Sequence, residues 1–200
     1  VNIFEESYRE YKQSEKQKSI SEIYWEKLEI TDSKTITTNK WLFNYQYAGI
    51  IAKAIPNAKI IHCYRNPLDN ILSTYRAHFA TGNNFSSSLV DSAEVYSDQD
   101  EIMQTYKKEF KNHIYSLNYD KLVTHPSDEI KSLIHWLGWS WNDLYLSPHL
   151  NKRKVSTRSN VQVRSPINTK SLGGWKNYKE MLKPAMEIIT KKEKYKDLKY

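Results

Sequence analysis

Glycine and cysteine are scarce in this 200-residue chain: five glycines, none before Gly49, and a single cysteine, Cys63. The first scarcity excludes a glycine-rich, phosphate-cradling turn from the chain before Gly49. The second excludes an intrachain disulfide framework and fits a reducing compartment, so a cytoplasmic location is expected. No uncharged apolar run reaches the ~18 residues that a membrane-spanning helix needs. Val1 to Tyr11 holds three Glu and lacks the apolar centre of a secretory signal. No His, Cys or carboxylate pair has zinc spacing, so no metal is expected.

What is present is charge and aromatic surface. Thirty Lys+Arg against 23 Asp+Glu leave +7, and the chain is 39% apolar and 26% charged. That balance fits a folded protein rather than a disordered polyampholyte, and with no repeat or linker a single domain over residues 1–200 is expected. The positive surplus points to an anionic partner: nucleic acid, anionic membrane or a phosphorylated ligand. A nucleic-acid surface requires basic residues clustered with stacking aromatics. The dense basic runs are only Lys152–Lys154 and the tail Lys191–Lys199, read as solvated, so no nucleic-acid partner is expected.

Periodicity reads as α/β with more helix than strand. Helical spacing appears over Ile3 to Tyr11, Ile20 to Leu28, Leu42 to Ile55, Pro67 to about Phe79, Leu89 to Phe110, and from Pro126 to Gly138. Strands are expected at Lys34–Thr38, Ala58–Tyr64 and Ile114–Asn118. Thr81–Ser88 reads as a loop. The tail Lys191–Tyr200 reads as a frayed helix. Trp136, Trp139 and Trp141 are expected in the core, His62 is expected to be a satisfied core histidine, and Trp175 is expected to pack.

The sharpest local feature is IIHCYRNPLDNILSTYR, Ile60 to Arg76. Ligands of parallel sheets bind outside the carboxyl ends of strands. Arg65 falls there, just before a helix that Asn66 caps and Pro67 opens. Unpaired N–H groups at that helix start, the fork of Arg65 and the hydroxyl of Ser73 together suit a phosphate. An ordinary strand-to-helix turn with a solvated arginine fits the same spacing.

This segment resembles the 3′-phosphate-binding segment of sulfotransferases that use 3′-phosphoadenosine-5′-phosphosulfate (PAPS). In that family an Arg ending a strand is followed eight residues later by a Ser, as Arg65 is by Ser73. Three further stretches match in order. Thr37 to His62 (TTNKWLFNYQYAGIIAKAIPNAKIIH) is similar to the preceding stretch of tyrosylprotein sulfotransferases and their bacterial relatives. Asn118 to Trp141 (NYDKLVTHPSDEIKSLIHWLGWSW) resembles the family's Y-E-x-L-V segment. Lys154 to Tyr178 (KVSTRSNVQVRSPINTKSLGGWKNY) is similar to its C-terminal donor-binding loop.

The resemblance implies a P-loop-NTPase-like sulfotransferase fold of class α/β: a short parallel sheet flanked by helices, and helix-rich. It implies transfer of a sulfuryl group from PAPS to a hydroxyl or amine, without a metal. PAPS and 3′,5′-ADP become the expected partners, the acceptor being unassigned. Charge builds on the sulfuryl oxygens and the departing phosphate, so cations and N–H donors supply most of the catalysis. The residues implied are Lys40 and Ser159 for catalysis, and Arg65, Ser73, Tyr119, Ser159, Gln162, Arg164 and Asn168 for the donor. Taken alone, Lys40 reads sooner as a solvated lysine just after a strand and Ser159 fits a loop serine, and Arg164 either reaches the donor phosphates or only lines its loop.

Two family parts expected upstream of Lys40 have no match: the 5′-phosphosulfate loop and the catalytic carboxylate, a role not assigned to Glu22, Glu26 or Glu29. The chain therefore reads as N-terminally incomplete, and an exposed sheet edge suggests a homo-oligomer. The alternative reading is a non-catalytic nucleotide-binding or interaction protein on a degraded scaffold.

Overall fold

A computed structural model describes residues 2–15, 17–30, 35–77, 79, 82–152 and 162–198. Helices dominate: α1 (Ile3–Gln13), α2 (Ile20–Lys27), α3 (Ala48–Ala54), α4 (Pro67–Arg76), α5 (Leu89–Glu109), α6 (Tyr119–Thr124), α7 (Pro126–Leu137) and α8 (Lys179–Ile189). Two strands, β1 (Ile60–Tyr64) and β2 (Ile114–Asn118), pair in parallel. The main chain of Ile60 donates to the His113 carbonyl at 2.8 Å and sets the register. The helix-rich α/β character with a short parallel sheet is thus as expected.

Local chemistry explains several element ends. Asn2 accepts from the Phe4 N–H to start α1. Ser19 and Glu22 form a reciprocal capping box on α2. Gly138 closes α7 at φ 76°, a left-handed conformation that glycine takes without a Cβ clash.

Three expected elements differ. Thr35–Thr38 is not a strand, and among the described residues the sheet has two strands. β-Branched residues favour a strand only where a half-buried surface receives them, and Ile36 is 68% exposed. The stretch Leu42 to Ile55 divides into a 3₁₀ turn, Leu42–Tyr47, followed by α3. Ring pairs Trp41–Phe43 and Phe43–Tyr45, 5.2 and 6.4 Å between centroids, join residues two apart, which do not face each other on an α-helix. Within the expected loop, Asn84–Ser87 forms a 3₁₀ turn that buries Ser86.

The chain divides into two compact units. The first comprises residues 1–60 and 101–114. Its aromatic core sets Phe4 edge-on to Tyr24 and Tyr47, each 5.8 Å away, and a second cluster joins Ala48, Met103 and Ile114. Gly49 lies so close to the Tyr106 ring that an added Cβ would sit 2.6 Å from Cε1. Asn2, Asn39 and Asn44 close a cycle of side-chain amide hydrogen bonds of 2.6, 3.1 and 3.1 Å.

The second unit comprises residues 61–100 and 115–200. Leu68 and Ile71 of α4, Ala93 and Tyr96 of α5, and Leu182 and Met186 of α8 form its core, with Trp175 buried among them. His62 is buried, meets Gln99 Nε2 at 2.8 Å and stacks on Tyr64. Trp139 and Trp141 depart from expectation: they are 40% and 36% exposed, because Gly138 ends α7 and turns the chain away before them. The tail departs as well. Lys194 grips both oxygens of Asp100, at 2.8 and 3.0 Å, and Tyr195 and Leu198 pack on the core. Its cationic side chains had suggested solvation, but a buried carboxylate on α5 claims one of them.

Candidate functional site

The β1–α4 turn forms the centre of the site in the second unit. Arg65 follows the last residue of β1, and its side chain is only 15% exposed. Three groups hold the guanidinium. Nη2 donates to the Ser171 carbonyl at 2.5 Å, lies 3.6 Å from Asp69 Oδ2, and the group sits 5.1 Å from the centroid of the Tyr119 ring. Tyr119 is in turn tied to the same loop, its hydroxyl 2.9 Å from Ser171 Oγ. Arg65 Nε is buried and meets no acceptor among the described residues. A buried N–H without a partner is costly, so this donor suits an incoming oxyanion.

The α4 N-terminus corrects the expectation of unpaired N–H groups. Asn66 Oδ1 accepts from Leu68 N at 3.0 Å and Asp69 N at 3.2 Å, and Pro67 has no N–H. The Asn66 N–H donates to Asp120 Oδ2 at 2.7 Å. The helix start is therefore saturated from within, and the side chain of Arg65 supplies the donor the turn still has to offer.

Asp69 does more than stabilise the first turn of α4. Its carboxylate is 4% exposed and accepts the Gly173 N–H at 2.7 Å and the Trp175 N–H at 3.0 Å. Gly173, at φ 67°, makes the bend that presents both N–H groups to it. The loop 171–175 is thus locked onto α4, with Trp175 seated in the core. Tyr96, buried on α5, donates to the Arg65 carbonyl at 3.0 Å.

The structure brings Arg65 and Tyr119 together, beside Asp69 of α4. Ser73 is exposed one turn beyond Asp69 on the same face of that helix. Arg164, in a short turn Gln162–Arg164, donates to the Asn151 carbonyl. Asn168 bonds within its own loop, to the Pro166 carbonyl at 2.9 Å and from the Lys170 N–H at 3.2 Å. Lys40 is exposed in a stretch of the first unit that has no regular secondary structure. Ser159 and the side chain of Gln162 lie outside the described residues. Sequence reasoning missed Tyr96, Asp120, Ser171 and the tertiary role of Asp69. Asp120 alone carried a signal, standing next to Tyr119 in the NYDKL segment.

Among the described residues no group of three or more His, Cys, Asp or Glu is placed to hold a metal ion, and no helix is long and apolar enough to cross a membrane.

Comparison with known proteins places the sequence in a family. A model of the sulfotransferase family matches residues 3–143. An uncharacterised protein of Aquifex aeolicus (strain VF5) is 33% identical over 176 residues, covering 86% of this chain and 23% of that protein. Protein-tyrosine sulfotransferase 1 of Danio rerio is 27% identical over 145 residues, 68% of this chain and 41% of that one. The chain thus spans less than half the length of either relative. Over most of its own length, from α1 to beyond α7, it carries the family's pattern, and the chain belongs to the sulfotransferase family.

Proposed function

We propose that this chain carries the donor-nucleotide part of an enzyme that transfers a sulfuryl group from PAPS to a hydroxyl or amine acceptor, with Arg65 anchoring the donor's 3′-phosphate. The observation that supports this reading is the state of Arg65. Its guanidinium is largely buried and held by Tyr119 and Ser171, and it retains a buried, unmatched Nε–H. A cation restrained in this way loses little freedom on binding and presents a fork suited to a phosphate.

In this reading Ser73 adds a hydroxyl to the 3′-phosphate. Tyr119 lies at the nucleotide, and Gln162, Arg164 and Asn168 shape the donor loop. Lys40 and Ser159 stabilise the charge that develops on the departing phosphate and the sulfuryl oxygens. Because the chain spans less than half the length of these relatives, transfer itself is a proposal.

Calorimetric titration with 3′,5′-ADP, and with 5′-AMP as the comparator lacking the 3′-phosphate, tests the assignment. The native protein is expected to bind 3′,5′-ADP more tightly, and Arg65→Ala is expected to lose about tenfold or more of that preference, as for loss of a charge-assisted bidentate contact. An unchanged preference would remove Arg65 from the site.

A further inference from the structure

One peptide unit of the second compact unit is held from both ends by side chains. Its carbonyl, that of Arg65, accepts from the Tyr96 hydroxyl at 3.0 Å. Its N–H, that of Asn66, donates to Asp120 Oδ2 at 2.7 Å. Tyr96 comes from α5 and is 6% exposed, while Asp120 comes from the first turn of α6. β1 ends at Tyr64, so this is the first peptide with both of its residues beyond the strand, where main-chain polar groups lose their strand partners.

A peptide is a rigid plane. Fixing its oxygen and its nitrogen together fixes its orientation, which restricts ψ of Arg65 and hence the direction in which the Arg65 side chain leaves the turn. Neither clamping group touches the guanidinium, which Tyr119, Ser171 and Asp69 hold separately.

A second layer locates the Tyr96 hydroxyl. Tyr195 Oη lies 3.4 Å from it and donates to Asp100 Oδ2 at 3.1 Å, and Lys194 holds the same carboxylate. Each phenol has one proton. With that of Tyr96 on the Arg65 carbonyl and that of Tyr195 on Asp100, the 3.4 Å approach is a packing contact, not a third hydrogen bond. Burial pushes both phenols above the usual tyrosine range, Tyr195 to about 12, which keeps both protons in place at neutral pH.

We propose that Tyr96 and Asp120 are positioning residues that clamp the Arg65–Asn66 peptide and thereby set the protein's preference for nucleotides bearing a 3′-phosphate. This rests on the reading of Arg65 given above. The clamp acts on the direction of one side chain, so its loss is expected to reduce recognition of the 3′-phosphate while sparing contacts to the rest of the nucleotide.

The test is the ratio of the dissociation constants for 5′-AMP and 3′,5′-ADP, measured by calorimetry on the native protein and its variants. Tyr96→Phe deletes one oxygen and keeps the buried ring. It is expected to lower the ratio about fivefold, the scale of one internal hydrogen bond, with 5′-AMP binding unchanged. Asp120→Ala should act in the same direction, and Asp120→Asn, which keeps an acceptor oxygen, should restore most of the ratio. If Tyr96→Phe and Asp120→Ala leave the ratio unchanged while Arg65→Ala collapses it, the clamp is refuted and the Arg65 assignment stands. If Arg65→Ala also leaves it unchanged, that assignment fails and the clamp with it. Equal weakening of both nucleotides would mark a general structural role and overturn the proposal.

Discussion

Replacing Asp69 by asparagine isolates the tie between α4 and the loop 171–175. The native carboxylate has two oxygens and two main-chain partners: Oδ2 receives the Gly173 N–H at 2.7 Å and Oδ1 the Trp175 N–H at 3.0 Å. An amide of the same shape has one acceptor, so one of these N–H groups must face an NH₂ group, donor against donor. With the side chain 4% exposed, water cannot replace the lost partner. A hydrogen bond to a charged acceptor contributes about 1.5–3 kcal/mol, and a stranded buried donor costs about 1–3 kcal/mol. The two terms overlap, and we expect a net loss of about 2–4 kcal/mol. Urea unfolding followed by tryptophan fluorescence reads it, because Trp175 is 5% exposed and adjoins the broken tie. Asp69→Ala, which strands both N–H groups, should cost more. A loss below about 1 kcal/mol for both variants would refute the argument that this carboxylate holds the loop.

Two further predictions concern packing and pH. Gly49→Ala places a methyl 2.6 Å from Cε1 of Tyr106, an overlap that the ring must move to relieve. Overpacking of about 1–3 kcal/mol outweighs the gain of up to about 1 kcal/mol in helix propensity, so the variant should unfold at lower urea, and a more stable variant would show the ring free to give way. Tyr195 is raised to about 12 by burial and the neighbouring Asp100, and Tyr96 is raised by burial. An unfolded tyrosine ionises near pH ~10, so the stability tied to these protons is fully present below that pH and is lost as pH rises through the folded values. Urea midpoints measured at increasing alkaline pH should therefore fall, and Tyr195→Phe should make the fall shallower; an identical slope in that variant would exclude its part.

The elements most legible in the sequence were those whose signals are local. Asn66–Pro67 marks the start of α4 because cap and N1 preferences act within one turn, and Gly138 marks the end of α7 because its φ is left-handed. Thr35–Thr38 misled because β-branched residues report a preference for a packed surface without showing that one is there. Trp139 and Trp141 misled because large rings were taken as core, whereas their exposure follows from where the helix stops. At the site, Arg65 was read from its place between a strand and a capped helix and Tyr119 from the family resemblance alone; the fold brings the two within 5.1 Å of each other.

The chain order of strand, arginine, capped helix and later tyrosine was determined by the sequence alone, and with it the family. What tertiary structure decided is which donors remain for a ligand. Asn66 and Asp120 consume the N–H groups at the head of α4, Asp69 consumes those of Gly173 and Trp175, and Arg65 keeps a buried Nε–H. The hydrogen-bond capacity of each group is written in its residue type. For the N–H groups of Asn66, Gly173 and Trp175, satisfaction depends on partners from 54 to 106 positions away, which only the folded chain brings within reach.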